Sequence, residues 1–268
     1  MKNIKNLCII CLISILILIL SLFFSNNLVD IKTVLVPFTK SIEKYKHDSN
    51  FENTGMYVLY VPKREKYIKD IMKKMKLNPE FVKGPDKTKL DLEQLKNDGI
   101  IAKDTKKSIG VLACYLGHLN ILKKFVKSDY KYALIFEDDI KLPDNVDENY
   151  KKIKYSINNI PENTNLLYLG FYKEDCKKLI KYNSIYNIPY YPSGTHSYLV
   201  DKKMAKTIID TSYPIDTESD TKLINTKQLY NGKEVLKYSI DKDYLSIKQN
   251  FDLQNERETS TIEWKVCM

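Results

Sequence analysis

A buried strand that runs directly into three carboxylates is the feature that most constrains this chain. Residues 132–136 are apolar and β-prone, as in a strand covered on both faces of a sheet. Glu137, Asp138 and Asp139 follow without a break. Adjacent carboxylates repel one another, so a folded chain rarely places three at a strand end unless positive charge lies there. The pattern predicts an open α/β sheet that carries the triplet at its carboxyl edge, where ligands bind.

Two interpretations of the triplet stay open from these residues alone. Hard cations such as Mg²⁺ and Mn²⁺ take oxygen ligands, and one or two carboxylates usually hold them together with substrate phosphates. The alternative is a solvated acidic loop in which Asp138 or Asp139 caps a following helix. The motifs described below favour the cation site.

The amino terminus predicts a membrane anchor. Residues 7–24 carry no charge and are numerous enough to cross a bilayer, and the run exceeds the apolar region of an ordinary signal peptide. Lys2 and Lys5 precede the run, so the positive-inside bias places the amino terminus in the cytoplasm. We therefore expect an uncleaved transmembrane helix that puts the rest of the chain across the membrane, as a type II protein.

The rest of the sequence predicts one α/β domain, because strand and helix patterns alternate along it without internal repeats. The expected strands are 56–61, 81–82, 132–136, 165–169, 195–200 and late strands within 235–247. The expected helices are 65–75, 108–126, 150–157 and 202–211, and a tyrosine-rich loop spans 173–193. Residues 1–24 are predicted to form a cytoplasmic tip and the anchor, and residues 25–53 a stem. Residues 54–268 are predicted to form the domain, a single mixed sheet flanked by helices.

Composition excludes two classes of protein. The net charge of +9 is almost entirely lysine spread among acidic neighbours, with arginine only at Arg64 and Arg257, and no basic cluster interleaves with stacking aromatic residues. We therefore expect no nucleic-acid partner, although a positive surface attracts anionic substrates. Beyond the anchor, Cys114, Cys176 and Cys267 are too few and too far apart for a disulfide scaffold or a zinc site.

Several short segments occur in an order that is informative as a set. The first three are a strand with an arginine turn at 58–64 (VLYVPKR), a glycine-containing helix at 110–118 (GVLACYLGH) and the acidic strand at 133–139 (ALIFEDD). Two strands at 167–170 (LYLG) and 194–200 (GTHSYLV), a proline turn at 214–216 (PID) and a last strand at 245–249 (LSIKQ) follow. Together they resemble glycosyltransferase family 25, which contains lipopolysaccharide β-galactosyltransferases and collagen hydroxylysine galactosyltransferases. The resemblance covers about residues 57–249.

The chain departs from the family pattern in its first two motifs. The departures are Tyr60 for Asn, Pro62 for Asp, Tyr67 for a second Arg, Val111 for Glu, Ala113 for Gly and Gly117 for Ser. The acidic triplet, His118 and Asp216 are retained. The altered positions are those expected to shape the nucleotide and acceptor pockets, so the sugar stays open between galactose and glucose.

The resemblance implies a metal-dependent, inverting glycosyltransferase with a nucleotide-binding fold of the GT-A type. A Mn²⁺ or Mg²⁺ ion would bridge the phosphates of a nucleotide-sugar donor, a UDP-hexose, and neutralise the leaving group. Asp139 is the expected direct ligand, with Glu137 direct or through water, since alternate side chains of an extended chain share a face. His196 is the expected third ligand, and a hydrogen-bonded strand histidine is its alternative.

Three further residues are expected to contact the donor. Arg64 can fork onto a phosphate or a uracil carbonyl, or it is an exposed arginine at a helix start. His118 lies at helical spacing from Cys114, so packing in the core is as plausible as donor contact. Asp138 completes the donor-binding set.

An inverting transfer also needs a base that takes the proton of the acceptor hydroxyl. Asp216 is the expected base from its family position after a proline turn, and Glu218 and Asp220 compete with it. Tyr186, Tyr190 and Tyr191 offer flat faces for sugar rings, or they pack over the core.

The topology and the chemistry together predict a location. Sugar nucleotides are absent outside a bacterial inner membrane, so the domain is expected in the lumen of the endoplasmic reticulum or Golgi, or in the host secretory pathway if the chain is viral. The acceptor would be a glycan or a glycoprotein. Two other classes remain open: a non-catalytic, membrane-tethered carbohydrate-binding descendant of the fold, and a metal-dependent phosphoesterase.

Overall fold

The computed structural model of the chain describes residues 49–171, 174–175, 177–226 and 236–254. The predicted anchor, nearly all of the predicted stem, Cys176 and Cys267 lie outside these residues. Within them, helices cover both faces of a mixed sheet, which confirms the predicted α/β class.

One sheet of eight strands runs through the described residues. The strands are β1 (Thr54–Tyr60), β2 (Glu80–Lys83), β3 (Tyr132–Glu137), β4 (Thr164–Gly170), β5 (Ile180–Lys181), β6 (Tyr186–Ile188), β7 (Ser197–Asp201) and β8 (Leu236–Ile240). Their order across the sheet is β2-β1-β3-β7-β4-β8-β6-β5. Strands β1, β2 and β3 are parallel, whereas β7 is antiparallel to both of its neighbours, β3 and β4.

The helices of the described residues form two layers. They are α1 (Glu65–Lys74), α2 (Leu92–Asn97), α3 (Ile109–Val126), α4 (Val146–Asn158), α5 (Lys202–Asp210) and α6 (Ser219–Asn225). Apolar side chains of α1 and α4 pack on one face of the sheet, and those of α3, α5 and α6 pack on the other. Because helices cover both faces at the centre of the sheet, β3 and β4 are buried along their whole length.

Helix α3 is the core helix of its layer, as its sequence predicts. The Ser108 hydroxyl accepts a hydrogen bond from the N–H of Val111 at 3.4 Å and caps the helix. By length and composition α3 could cross a membrane, but half of its residues are buried within the domain. Leu112, Leu119 and Leu122 pack in the cluster that joins α3 to the sheet and to α5, so burial in the core accounts for its apolar character.

Sequence patterns missed two short helices and a hairpin. Helix α2 is capped by Asp91, whose Oδ1 accepts from the N–H groups of Glu93 and Gln94 at 3.0 and 3.1 Å. Helix α6 is similarly short, and neither helix is long enough to show a clear apolar period. Strands β5 and β6 form a hairpin within the segment predicted as a tyrosine-rich loop.

The predicted closing strand at residues 245–249 is not a strand in the structure. The Ile247 N–H donates to the Leu169 carbonyl at 3.2 Å, and Gln249 forms an isolated bridge with Ile140. The segment therefore crosses the end of the sheet and makes separate contacts with β4 and with the turn after β3 instead of a continuous ladder. Its apolar residues are buried by that crossing.

The order β2-β1-β3 creates a topological switch point between β1 and β3. The chain leaves β1 for β2 on one side and returns to β3 on the other side. Leu59 and Glu137 are paired across this junction, so the two strands end side by side. In open α/β sheets, ligands bind in the crevice outside such a pair of carboxyl ends.

Packing around Gly117 explains one departure from the pattern of the family that the sequence resembles, which usually has serine at this position. A Cβ added at Gly117 would lie 2.6 Å from Leu59 Cδ1, so the leucine occupies the space that a serine needs. We expect Gly117→Ser to lower the free energy of unfolding by about 1–3 kcal/mol. Leu59→Val should restore part of the loss in the double variant. Urea unfolding of both single variants and the double variant measures this coupling, and additive losses would contradict the steric explanation.

Candidate active site

Asp138 joins the ends of strands β1 and β3. Its Oδ2 accepts a hydrogen bond from the backbone N–H of Val61, the first residue after β1, at 2.6 Å. Its Oδ1 lies 3.0 Å from Nη2 of Arg64, which belongs to the 3₁₀ turn that Pro62 begins. The switch point thus brings the arginine turn of the first motif onto the acidic triplet, more than seventy residues later in sequence.

Asp139 shares the same guanidinium. Its Oδ2 lies 3.7 Å from Arg64 Nη1 and accepts a hydrogen bond from Gln249 Nε2 at 3.1 Å. The backbone carbonyl of Asp139 accepts from the Asn250 N–H at 2.6 Å. Residues from the first and the last parts of the described domain therefore fix Asp139.

The charge at this edge remains negative. Asp138 and Asp139 are 4% and 1% exposed, and Arg64 contributes one positive charge against three successive carboxylates. Burial raises the pKa of Asp138 to about 6, although Arg64 and the Val61 N–H lower it, and Asp139 and Glu137 raise it further. Buried oxygen ligands with excess negative charge fit a hard divalent cation.

Glu137 points away from the other two carboxylates, toward α3. Its Oε1 accepts hydrogen bonds from His118 Nε2–H at 3.1 Å and from the Thr195 hydroxyl. The Tyr198 hydroxyl lies 3.1 Å from Nδ1 of His118 and donates to it in this arrangement. The prediction that Glu137 and Asp139 point together does not match this geometry. The strand ends at Glu137 and a turn follows, so the alternation of an extended chain stops there.

His196 is a hydrogen-bonded strand histidine in the structure, and its role as a metal ligand stays a prediction. Its Nε2–H donates to the Ile247 carbonyl at 2.8 Å, so it is a hydrogen-bonded histidine at the start of β7. Its Nδ1 has no hydrogen-bond partner among the residues that the structure describes. Burial lowers the pKa of His196, whereas the Ile247 carbonyl and the nearby Glu137 and Asp139 raise it. A ring held by one N–H to a backbone carbonyl presents the other nitrogen as a metal ligand.

Gly170 makes the His196 contact possible. A Cβ at this position would lie 2.0 Å from the Ile247 carbonyl oxygen and 2.6 Å from His196 Nε2. No side chain fits here, because two of the three nearest atoms belong to the Ile247 backbone and the third to the buried His196 ring. The glycine that ends the Leu-Tyr-Leu-Gly motif is therefore explained by close packing.

The three candidates for the base differ in their surroundings. Asp216 is exposed, lies within electrostatic range of Tyr115 and Lys222, and contacts none of the acidic triplet in the described structure. Glu218 Oε1 lies 2.6 Å from Lys107 Nζ. Burial raises the pKa of Glu218, but the hydrogen bond and charge of Lys107, together with hydrogen bonds from the Glu218 backbone and Thr221, bring the pKa below its ordinary value.

Asp220 lies at the start of α6, beside the network around Glu137. Its Oδ2 accepts from the Ser193 hydroxyl at 2.6 Å. The neighbouring Ser219 hydroxyl lies 3.4 Å from the Thr195 hydroxyl, which donates to Glu137. Thr195 and Ser193 were not predicted as site residues. The motif at residues 194–200 could have indicated them, because it contains Thr195, directly follows Ser193 and leads into β7.

The predicted tyrosine platform divides into different roles. Tyr186 is buried, and its hydroxyl donates to the Ser156 carbonyl at 2.6 Å, so it packs in the core. Tyr190 is 54% exposed. The Tyr191 N–H donates to Oε1 of the buried Glu174 at 2.6 Å, which fixes the loop that carries both residues. Of the three, Tyr190 has the most exposed ring, and Lys178 Nζ lies 4.1 Å from the centre of that ring.

The chain is similar to known proteins. The profile of a family described as "Glycosyltransferase family 25 (LPS biosynthesis protein)" matches residues 60–223. No curated protein sequence matches the chain significantly. One similar solved structure is the crystal structure of a glycosyltransferase involved in the glycosylation of the major capsid of PBCV-1. The identity is 12% and the TM-score 0.33, over 59% of this chain and 66% of that one, just under two thirds of its length.

Proposed function

Because the chain belongs to glycosyltransferase family 25, we propose that it transfers galactose or glucose from a UDP-hexose to a hydroxyl of a glycan or glycoprotein, with inversion. Membership of the family establishes that the protein is a glycosyltransferase. The donor, the metal and the acceptor are proposed. The observation that carries the proposal is the cluster of Arg64, Asp138 and Asp139 at the switch point between β1 and β3. Such a crevice is where an open α/β sheet binds a nucleotide, so a GT-A type fold is proposed.

The donor diphosphate would lie at this cluster. Arg64 offers a planar fork of donors that suits a phosphate oxygen pair. Asp139 would hold Mn²⁺ or Mg²⁺ directly, with Asp138 beside it, His196 through Nδ1, and Glu137 through water because its carboxylate is turned toward His118. When bound, the cation supplies positive charge against the phosphates of the leaving group.

The residues of the chain itself position the reactants. The Val61 N–H and Gln249 fix the carboxylates of Asp138 and Asp139 in place before any donor arrives. His118 orients Glu137 and contributes indirectly to the donor site. Asp216 would accept the proton of the acceptor hydroxyl as the new bond forms, and its exposure leaves its carboxylate accessible to an acceptor. The exposed Tyr190, with Lys178 beside its ring, would contact an acceptor sugar.

A screen of nucleotide sugars tests the proposed function. The full-length protein in detergent, with Mn²⁺, is incubated with a panel of donors, and free nucleotide and released phosphate are measured separately. We expect hydrolysis or transfer with one UDP-hexose, and release of UDP without inorganic phosphate. Binding of glycans without turnover of any donor would support a carbohydrate-binding protein instead. Release of phosphate from simple esters would support a phosphoesterase.

The charge difference across residues 7–24 supports a signal anchor with the domain in the lumen of the endoplasmic reticulum or Golgi. We expect the domain to be protected when protease is added to sealed microsomes, and its mass to include the anchor. Detergent should remove the protection, which provides the control. Digestion in intact vesicles would reverse the proposed topology.

A further inference from the structure

We propose that Cys114, His118 and Glu137 form a Zn²⁺ site that is separate from the hard-cation site at Asp138 and Asp139. One potential ligand atom from each of the three residues lies within 4.8 Å of the other two. A thiolate, an imidazole and a carboxylate suit zinc, whereas Mg²⁺ and Mn²⁺ prefer oxygen ligands. Three protein ligands would leave one tetrahedral position for water.

The fold holds these ligands on rigid elements. Cys114 and His118 lie four residues apart on α3, so both side chains project from the same face of the helix. Glu137 reaches them from the end of β3 because its side chain is turned toward α3. His118 and Glu137 are buried, and Cys114 is half-buried, which gives an ion an approach from the side of the thiol.

A second layer of contacts supports a metal-bound histidine. The Tyr198 hydroxyl lies 3.1 Å from Nδ1 of His118, and a hydroxyl can donate or accept. Without metal, the ring proton sits on Nε2 and is donated to Glu137. With metal, we infer that the proton sits on Nδ1 and is donated to Tyr198, so Nε2 offers its lone pair to zinc. Ligating histidines usually donate their other N–H in this way. The thiol of Cys114 loses its proton to solvent on binding.

The two sites differ in the carboxylates that would bind metal directly, because Glu137 would reach the hard cation only through water. Asp138 and Asp139 face Arg64, while Oε1 of Glu137 faces His118 and Thr195. Counting cysteines along the sequence does not reveal this site, because only Cys114 contributes a thiol and Glu137 is distant from it in the chain. The fold supplies the missing ligands.

Titration with a metal ion whose absorption spectrum reports binding to a thiolate tests the site. The full-length protein in detergent, with excess Mg²⁺ to fill oxygen sites, is titrated with Zn²⁺ and separately with Co²⁺, whose thiolate complexes absorb in the near ultraviolet. We expect one thiolate-bound metal per chain. Cys114→Ser should remove the cobalt–thiolate band, and Cys176→Ser is the matched control that should retain it. Tyr198→Phe should lower zinc affinity by roughly 10–100-fold, the usual cost of losing a contact to a ligating histidine.

A second variant keeps the test decisive if Cys114→Ser does not fold. Replacing Cys8, Cys11, Cys176 and Cys267 with serine leaves Cys114 as the remaining thiol. This variant should keep the cobalt band. Absence of the band from it, or a band that persists in Cys114→Ser, would overturn the proposal. The readout does not depend on sugar transfer, so the zinc site and the proposed function can fail separately.

Discussion

Replacing Asp139 with asparagine is expected to reduce sugar transfer by about 10²–10³-fold or more, the effect of removing a group that stabilises developing charge. Asparagine keeps the size of the side chain and can still accept the hydrogen bond from Gln249. It lacks the negative charge that a cation under the donor diphosphate requires. The initial rate of transfer with the donor found by the screen measures the effect, and circular dichroism checks the fold.

The matched control is Asp147→Asn. Asp147 is an exposed carboxylate whose Oδ1 lies 2.7 Å from Lys76 Nζ, on the first turn of α4, so its loss should leave transfer unchanged. Excess chelator should inactivate the wild-type protein, and Mn²⁺ should restore it. Full activity in chelator would refute the metal-dependent mechanism, even if Asp139→Asn is inactive for another reason.

Replacing Asp216 with asparagine is expected to lower kcat by roughly 10²–10⁴-fold, the usual contribution of a general base. Asparagine preserves size and most hydrogen bonding but cannot take the proton of the acceptor hydroxyl. Donor affinity should change little, because Asp216 contacts none of Arg64, Asp138 and Asp139 within the described residues. Steady-state kinetics with both substrates varied separates the two effects.

Glu218→Gln and Asp220→Asn complete the comparison. Glu218 is engaged by Lys107, and Asp220 by the Ser193 hydroxyl, so we expect smaller effects on kcat than that of Asp216→Asn. Asp220 deserves the closer test, since its neighbour Ser219 approaches the network of Glu137. Near-normal kcat in Asp216→Asn together with a large loss in Asp220→Asn would transfer the role of the base to Asp220.

Local chemistry in the sequence was sufficient for the elements that contain the site. The apolar run before Glu137 predicts β3, and Ser108 with its helical apolar period predicts α3, because burial and capping act over a few neighbouring residues. Short elements such as α2 and the β5–β6 hairpin escaped prediction, since they bury too few residues to leave a period. The ordered motifs were sufficient for the family, which the profile match at residues 60–223 confirms.

The sequence by itself therefore determined the α/β class, the core elements and the acidic triplet at a strand end. Only the tertiary structure decided which way each carboxylate points. Arg64 reaches Asp138 and Asp139 because β1 and β3 are neighbours at the switch point, a contact between distant parts of the chain. Glu137 turns to His118 because β3 ends there and α3 packs against that face of the sheet. Such contacts depend on strand order and on where a strand stops, and neither is encoded in the local pattern of residues.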